Sequence, residues 1–449
     1  MKIPVIAVFD IGKTNKKLLL FDERVQIVLE YSAQLAETAD EDGFPCEDLE
    51  SLKHFIFDSL RKIFSNPAFE IKAINFSSYG ASLVYLDENG QSLTPLYNYL
   101  KPYPEELLEQ FYSKYGGKEE FAKQTASPVL GSLNSGMQLY RIKYERPELL
   151  QKIKNVLHLP QYLSYLITGK IYSDITSIGC HTNLWDFRKN TYHHWLEEEG
   201  LLEKLAPLVP SDTIIKANFQ GHHFDAGIGL HDSSAALIPY LVNFRESFIL
   251  ISTGTWCISL NPFNSSPLSK EELEADCLCY LHYQGKPVKA SRLFAGHEHE
   301  QELNRMTEYF AQPKVRYEEM AFDSSFLSFL NEEEQAFSEL DMTSFSSDTE
   351  AYHRLMIHII RQQKRSSRLI ISGSKVKRIF VDGGFSKNSI YMNLLSIAFP
   401  EMEVFAASMA QATAMGAALA IHQSFDSKQT PNDLIELKFY SAIEKLSNE

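Results

Sequence analysis

The sequence predicts an α/β protein of two domains that share one topology, on three observations. At 449 residues the chain is too long for one ordinary hydrophobic core. An apolar hairpin with a glycine turn occurs twice, at 5–23 and 248–262, and the two turn glycines, Gly12 and Gly254, lie 242 residues apart. Strand-like runs such as Ile71–Phe76 accompany a stretch at 133–166 that is predicted helical, with breaks near Pro147 and Pro160. We place the boundary near residues 240–247, which predicts domains at 1–243 and 244–449.

The composition narrows the class of protein. Hydrophobic residues make up 44% and charged residues 22%, which is typical of a globular protein. The net charge of -15 argues against nucleic acid as a partner, because backbone binding depends on clustered Lys and Arg. No apolar run is long enough to span a membrane, and no signal peptide is recognisable. Five cysteines without framework spacing indicate reduced thiols, so we expect a cytoplasmic protein with no membrane partner.

The first hairpin, VIAVFDIGKTNKKLLLFDE, has more polar residues in its turn than a plain hairpin needs. Gly12 lets the backbone approach an anion, and Thr14 and Asn15 add neutral donors. Lys17, together with Lys13 and Lys16, supplies positive charge. Asp10 would repel a phosphate unless a divalent cation lies between them, as it does in a Mg-nucleotide. The alternative is an exposed turn with solvated lysines, and this hairpin alone leaves both interpretations open.

Two later turns have polar residues that suit a nucleotide. Thr253, Gly254 and Thr255 offer hydroxyl donors without charge, which fits a γ-phosphate approached from the second domain; the alternative is a structural hairpin. Gly383, Gly384 and Asn388 combine close backbone approach with a polar side chain, which fits an adenosine or simply a strand-to-helix turn. The common nucleotide fingerprints GxxxxGK[ST] and GxGxxG are absent from the sequence.

Asp232 follows the glycine-rich stretch GIGLH and precedes small residues that begin a helix. A carboxylate in such a place can face a cleft without large neighbours. It could accept the proton of a hydroxyl that attacks phosphorus. The alternative is that Asp232 is the N-cap of a helix that begins at Ser233.

In their order along the chain, these elements resemble the FGGY family of carbohydrate kinases, within the sugar kinase, actin and heat-shock chaperone superfamily. The family's D-x-G-T-T-S-x-R appears as D-I-G-K-T-N-K-K, and its G-G-G-x-x-x-N appears as D-G-G-F-S-K-N. QATAMGAAL looks like the family's E-A-x-x-x-G-A-A-x. The resemblance implies two ribonuclease H-like (actin-like ATPase) domains around a central cleft.

The resemblance also implies roles for residues. Asp232 is the expected catalytic base, and Asp10 and Asp232 together are expected to hold Mg²⁺ with ATP. The pair His231-Asp232 followed by SSAA looks most like rhamnulokinase- and L-fuculokinase-like members. This implies a 6-deoxy-ketohexose, L-fuculose or L-rhamnulose, with His231 contacting a sugar hydroxyl. The loop at 78–82, with Gly80 and Ala81, matches the family's sugar-binding loop.

Two other functions stay open at this point. One is a kinase for another ketose or a polyol, such as ribulose, xylulose or glycerol. The other is a catalytically silent sugar-binding regulator of the same fold. The presence of both Asp10 and Asp232, and the absence of an added helix-turn-helix segment, favour the kinase. Its expected partners are ATP, Mg²⁺ and a small sugar, with a homodimer left open.

Overall fold

The computed structural model describes residues 2–333, 335–409, 411–425, 431 and 433–441. The strands of the first half are β1 Ile3–Ile11, β2 Lys16–Phe21, β3 Ile27–Ala33, β4 Glu37–Ala39, β5 Pro45–Glu47, β6 Phe69–Ser78, β7 Leu83–Leu86, β8 Asn155–His158, β9 Ser173–Asp174, β10 Trp185–Asp186, β11 Thr191–Tyr192, β12 Leu208–Val209, β13 Ile215–Phe219, β14 His222–Ala226 and β15 Leu230–His231. Its α-helices are α1 Leu49–Ser65, α2 Glu105–Lys114, α3 Lys118–Thr125, α4 Ser135–Glu145, α5 Pro147–Lys152, α6 Leu159–Thr168, α7 Ile175–Ile178, α8 Trp195–Glu198 and α9 Asp232–Asn243.

The second half contains fewer strands and longer helices. Its strands are β16 Phe248–Thr253, β17 Cys257–Asn261, β18 Cys277–Leu281, β19 Pro287–Leu293, β20 Arg378–Gly383, β21 Glu403–Ser408 and β22 Glu436–Tyr440. Its α-helices are α10 Lys270–Glu274, α11 Ala295–Phe310, α12 Lys314–Glu318, α13 Asp348–Ile371, α14 Ser389–Ala398 and α15 Ala412–Ala420. Short 3-10 helices lie at Gly131–Leu133, Leu202–Lys204, Ser324–Asn331, Phe337–Glu339, Met342–Ser344, Phe385–Lys387 and His422–Ser424.

The two main sheets repeat one topology, as the paired hairpins predict. In the first sheet β1 pairs antiparallel with β2, β2 with β3, and β1 pairs parallel with β6, which in turn pairs parallel with β14. In the second sheet β16 pairs antiparallel with β17, β17 with β19, and β16 pairs parallel with β20, which pairs parallel with β21. The predicted pair of actin-like α/β domains is confirmed at the level of the fold.

Helices cover both faces of each sheet. The first sheet packs α1 and α6 on one face, and α9 and α15 on the other. The second sheet packs α11, α13 and α14 on one face, and its other face meets Leu237 and Tyr240 of α9. Because both faces are covered, Val5–Phe9 of β1 are wholly buried, which explains why this strand is apolar without alternation.

Helices α9 and α15 join the two halves of the chain. A β-carbon added at Gly416 of α15 would lie 1.8 Å from the carbonyl oxygen of Ala235 in α9, so only glycine permits this approach. The buried Asn75 of β6 donates a hydrogen bond of 2.8 Å to the carbonyl oxygen of Ala417. A helix from the second half is therefore fixed against the first sheet.

Two local predictions differ from the structure. The stretch at 133–166, predicted helical throughout apart from breaks at two prolines, contains strand β8, which pairs with β7. The small-residue stretch ASMAQATAMGAALA predicts a helix that starts near Ser408, but Ser408 is the last residue of β21 and the helix begins at Ala412. Among the described residues, no helix combines the length and apolar character that crossing a membrane requires.

Candidate active site

Three parallel strands end at one edge of the first sheet, and polar residues follow there. In the strand register Asp10 of β1 lies opposite Ser77 of β6, and His231 of β15 lies opposite Ser78. The carboxyl ends of parallel strands form the usual binding edge of an open α/β sheet. The fold thus brings together Asp10, the sugar-binding loop and the His231-Asp232 pair, which are distant in sequence.

Asp10 is a carboxylate in an unfavourable place for its charge. Burial, and to a smaller extent the negative charge of Asp232, raises its pKa from 3.8 to about 6. A hydrogen bond of 2.7 Å from the Ser77 hydroxyl, and the charge of Lys17, act in the opposite direction. A buried carboxylate that faces a second negative charge forms a place where a divalent cation is favoured.

Asp232 is the first residue of α9, with a side chain that is 35% exposed. Its Oδ1 accepts hydrogen bonds from the backbone N–H of Ser233 at 2.6 Å and from the Ser233 hydroxyl at 3.2 Å. The helix begins one residue earlier than the N-cap alternative predicts, so His231 holds the cap position, without a capping side-chain bond. The position of Asp232 at a helix N-terminus stabilises its negative charge.

His231 lies next to Asp232 and is buried. Its Nε2 is 3.3 Å from Asp232 Oδ1, and its Nδ1 is 3.3 Å from the Ser234 hydroxyl. Burial lowers the pKa of His231, although the charge of Asp232 opposes this. The imidazole is therefore neutral and can donate one hydrogen bond.

The loop at 78–82, which is predicted to bind the sugar, packs directly on His231. A β-carbon at Gly80 would lie 2.9 Å from the His231 ring, so the loop has no room for a side chain at this position. Ala81 has a φ of 62°, a conformation that costs energy in a residue with a β-carbon. Its carbonyl oxygen accepts a hydrogen bond of 2.6 Å from Gln138, which fixes the loop in this strained form. The structure therefore places both predicted loop residues beside the His231-Asp232 pair.

The turn of the first hairpin is shaped by a buried lysine. The Gly12 N–H donates to the Asn15 carbonyl at 2.9 Å, and Lys16 Nζ donates to the carbonyls of Gly12 at 3.1 Å and Lys13 at 2.9 Å. Lys16 is 2% exposed and pairs with the buried Glu47 at 2.8 Å. Thus Lys16 supports the turn from behind, whereas the sequence suggested that it supplies charge to a ligand.

The other two lysines of this turn are also paired. Lys13 Nζ lies 2.8 Å from Glu37, and Lys17 Nζ lies 3.1 Å from Glu30. Thr14 and Asn15 are exposed at the tip, where they can meet a ligand. Positive charge at the turn is thus largely compensated by carboxylates that sequence reasoning did not identify, because they come from distant strands.

In the second half, the hairpin turn and the glycine turn are joined by one threonine. The Thr253 hydroxyl accepts from the N–H of Phe385 at 3.0 Å and donates to the carbonyl of Asp382. Gly383 has a φ of 80°, and a β-carbon there would lie 1.9 Å from the Thr253 carbonyl oxygen. The Gly254 N–H donates to Trp256 at 2.9 Å and closes the hairpin turn. Thr253 and Gly383 therefore fix the relative position of the two turns.

A cavity of about 480 Å³ lies against these turns. Five predicted nucleotide-binding residues line it: Thr253, Gly254, Thr255, Gly384 and Asn388. The cavity also includes Tyr352, His299, Phe385, Lys314 and Lys387 among its lining residues. Asn388 is the N-cap of α14, and its amide donates a hydrogen bond of 2.8 Å to the Tyr352 hydroxyl. The space beside Gly384 is open. Gly383 is not among the residues that line this cavity.

Two sheets of one topology, each with a polar glycine turn in its first hairpin, define an α/β protein built from two repeated halves. The chain matches the FGGY family of carbohydrate kinases, N-terminal domain, over residues 5–238, and the carbohydrate kinase FGGY C-terminal domain over residues 245–430. The protein belongs to the FGGY family of carbohydrate kinases.

Curated relatives are similar over part of their length. A rhamnulokinase of Mannheimia succiniciproducens is 25% identical over 276 residues, which are 58% of this chain and 54% of the relative. A rhamnulokinase of Oceanobacillus iheyensis is 24% identical over 234 residues, which are 49% of this chain and 47% of the relative. The chain thus spans about half the length of the curated relatives it matches.

Solved structures are similar over nearly the whole chain. A carbohydrate kinase from Novosphingobium aromaticivorans is 22% identical with a TM-score of 0.78, covering 97% of this chain and 96% of its own. A glycerol kinase of Plasmodium falciparum with ADP is 16% identical with a TM-score of 0.78, covering 99% and 97%. At these identities the likeness shows the fold.

Proposed function

We propose that the protein transfers phosphate from ATP to a hydroxyl of a ketose sugar. One observation carries the proposal: Asp10 of β1 and Asp232, which directly follows β15, lie at one sheet edge, and the charge of Asp232 raises the pKa of Asp10. Family membership supports the same reaction class. We also propose that the domains divide at 243/244, so that the sugar-binding half precedes the nucleotide-binding half.

The residues present fit the nucleotide and the metal that such a reaction uses. The open backbone at Gly384 and the cavity beside Asn388 suit an adenosine, and the turns at Gly12 and Gly254 suit its phosphates. Asp10 and Asp232 suit Mg²⁺, which usually takes one or two carboxylates together with phosphate oxygens. When bound, Mg²⁺ neutralises phosphate charge that two bare carboxylates would repel.

The residues of this chain then have separate roles. Asp232 accepts the proton of the attacking hydroxyl, which makes the oxygen a better nucleophile as its bond to phosphorus forms. His231, held neutral by burial, donates to a neighbouring sugar hydroxyl and fixes the sugar beside Asp232. Gly80 and Ala81 form the floor of the sugar site, and the turns at 12–15 and 253–255 hold the phosphates.

For the sugar we propose a 6-deoxy-ketohexose, L-fuculose or L-rhamnulose. The support is the motif His231-Asp232 followed by two serines and two alanines, and the resemblance to relatives named rhamnulokinase. The apolar C6 methyl of such a sugar needs no hydrogen-bond partner, whereas the remaining hydroxyls do.

A panel of ketoses and polyols tests the proposal, with ATP and Mg²⁺ present and ADP release measured. L-Fuculose and L-rhamnulose should react fastest, followed by D-ribulose and L-ribulose. Turnover of glycerol or D-xylulose alone would show that the sugar assignment is wrong. Sugar binding in calorimetry without any ADP release would favour the silent regulator over the kinase.

A further inference from the structure

His181 lies in a segment whose backbone is fixed from several sides. The segment follows α7, and its Gly179 carbonyl accepts 2.9 Å from the Leu281 N–H of β18. The Thr182 hydroxyl donates a hydrogen bond of 2.6 Å to the carbonyl of Ile178, and the Asn134 amide donates one of 2.9 Å to the carbonyl of His181 itself. The position of the His181 ring is therefore determined by the fold of both halves.

The His181 side chain is polar, buried and unpaired. The residue is 9% exposed, and neither ring nitrogen has a hydrogen-bond partner among the described residues. Its ring lies 6.3 Å from the ring of His231 and 6.1 Å from that of Tyr280. Burial lowers its pKa to about 3, so the imidazole is neutral and has one donor and one acceptor.

Leaving both nitrogens unpaired is costly. A buried donor or acceptor without a partner costs about 1–3 kcal/mol, and most native proteins avoid this. His193, also buried, shows the usual paired state: its Nε2 lies 2.8 Å from Gln124 Oε1, and its Nδ1 accepts from the Trp195 N–H at 3.4 Å. The unpaired state of His181, next to His231, indicates that its partner is a bound molecule.

We propose that His181 is a specificity-determining residue of the sugar site, whose two ring nitrogens bind hydroxyl groups of the substrate. The inference rests on the proposed sugar-binding function of the His231-Asp232 region. Two neighbouring sugar hydroxyls offer the donor and the acceptor that a neutral imidazole requires. His231 contacts Asp232 directly at 3.3 Å, whereas the His181 ring lies 6.3 Å from the His231 ring, so we assign to His181 hydroxyls other than the one that is phosphorylated.

A sugar that lacks a contacted hydroxyl leaves part of His181 unpaired, and such sites reject deoxy analogues strongly. His181 thus selects for sugars that carry hydroxyl groups at the positions it contacts. A carbon elsewhere in the sugar that lacks a hydroxyl, such as the C6 methyl, is tolerated. This explains how a site can accept a 6-deoxy sugar and still discriminate among its stereoisomers.

The variant His181→Phe tests the inference, since it keeps a ring against His231 and Tyr280 but removes both polar atoms. Without sugar, its unfolding midpoint should equal or exceed that of the wild type, because two unpaired groups are gone. For the best sugar of the panel, KM and the calorimetric Kd should rise roughly ten- to a hundredfold with kcat little changed. For the monodeoxy analogue that lacks a contacted hydroxyl, the same substitution should change Kd less than about threefold.

His193→Phe is the matched control. It removes a buried histidine whose nitrogens are both paired, so it should lower the unfolding midpoint and leave sugar discrimination unchanged. If His181→Phe does not fold, His181→Asn replaces it, with the same comparison between parent and deoxy sugars.

The outcomes separate this inference from the proposed function. Equal losses on every sugar and analogue, or no loss at all, would overturn the role of His181 even if the wild type is an active kinase. A wild type that binds sugar without turnover would overturn the kinase proposal, while the binding data would still decide on His181. A wild type that binds no sugar of the panel would overturn both.

Discussion

The substitution Asp232→Asn separates chemistry from structure at the sheet edge. Asparagine retains an oxygen at the position that accepts the Ser233 N–H at 2.6 Å, so the first turn of α9 should keep its local hydrogen bond. What disappears is the negative charge that, in the proposed mechanism, accepts the proton of the attacking hydroxyl. Contributions of general bases are typically about a hundred- to ten-thousandfold, so kcat should fall by at least two orders of magnitude.

The expected change in stability is small because two effects oppose each other. Loss of a negative charge at a helix N-terminus costs roughly 0.3–1 kcal/mol. Relief of the repulsion between Asp232 and Asp10, which raises the pKa of Asp10, acts in the other direction. The free energy of unfolding should therefore stay within roughly 1 kcal/mol of the wild type.

The assay is single-turnover phosphorylation with the best sugar, together with sugar affinity by calorimetry and urea denaturation. Sugar affinity should change little, because His231 and the loop of Gly80 and Ala81 remain. An Asp232→Asn enzyme that retains a third of wild-type turnover would refute the assignment of Asp232 as the base. So would a loss of turnover that follows a loss of folded protein.

Two further predictions concern Asp10 and the glycine turn. The folded protein holds the Asp10 proton more tightly than the unfolded chain does, since the pKa rises from 3.8 to about 6. Without Mg-nucleotide, the contribution of Asp10 to the free energy of unfolding should therefore fall as pH rises through this window, by at most about 3 kcal/mol, and the difference between wild type and Asp10→Asn measures this contribution. Asp10→Asn should remove this fall, and urea denaturation at pH 4 to 7 that shows the same pH dependence in both proteins would contradict it. Gly383→Ala, at a φ of 80° and 1.9 Å from the Thr253 carbonyl, should lower stability by about 2–4 kcal/mol. Gly384→Ala, at a φ of −62° with open space around it, should lower the free energy of unfolding by about 0.5 kcal/mol or less and instead weaken nucleotide binding. Equal losses of stability in the two variants would contradict the importance of the close packing at Gly383.

Much of the fold could be predicted from local patterns. The runs at 3–9 and 248–253 are apolar without alternation because helices cover both faces of their sheets, and the matching turns at Gly12 and Gly254 report the repeat. Strand β8 was missed because four residues between two helices have too little sequence for a period to show. Its pairing with β7 is a tertiary effect.

The candidate site was predictable where a motif carries the chemistry, and not where distant partners decide it. Asp10, His231 and Asp232 lie next to glycine-containing turns that can be recognised in the sequence. Glu47 gives no such signal, because its pairing with Lys16 joins residues 31 positions apart. His181 was not identified either, since a buried histidine is usually paired, and only the structure shows that this one is not.

The contact between α9 and α15 has a mechanical consequence. Helix α9 packs against both sheets and carries Asp232 in its first turn, so Asp232 lies close to the contact between the two halves of the chain. If one half rotated against the other about α9, each atom would move in proportion to its distance from this helix. Asp232 would then keep its position at the edge of the first sheet while more distant groups of the second half move.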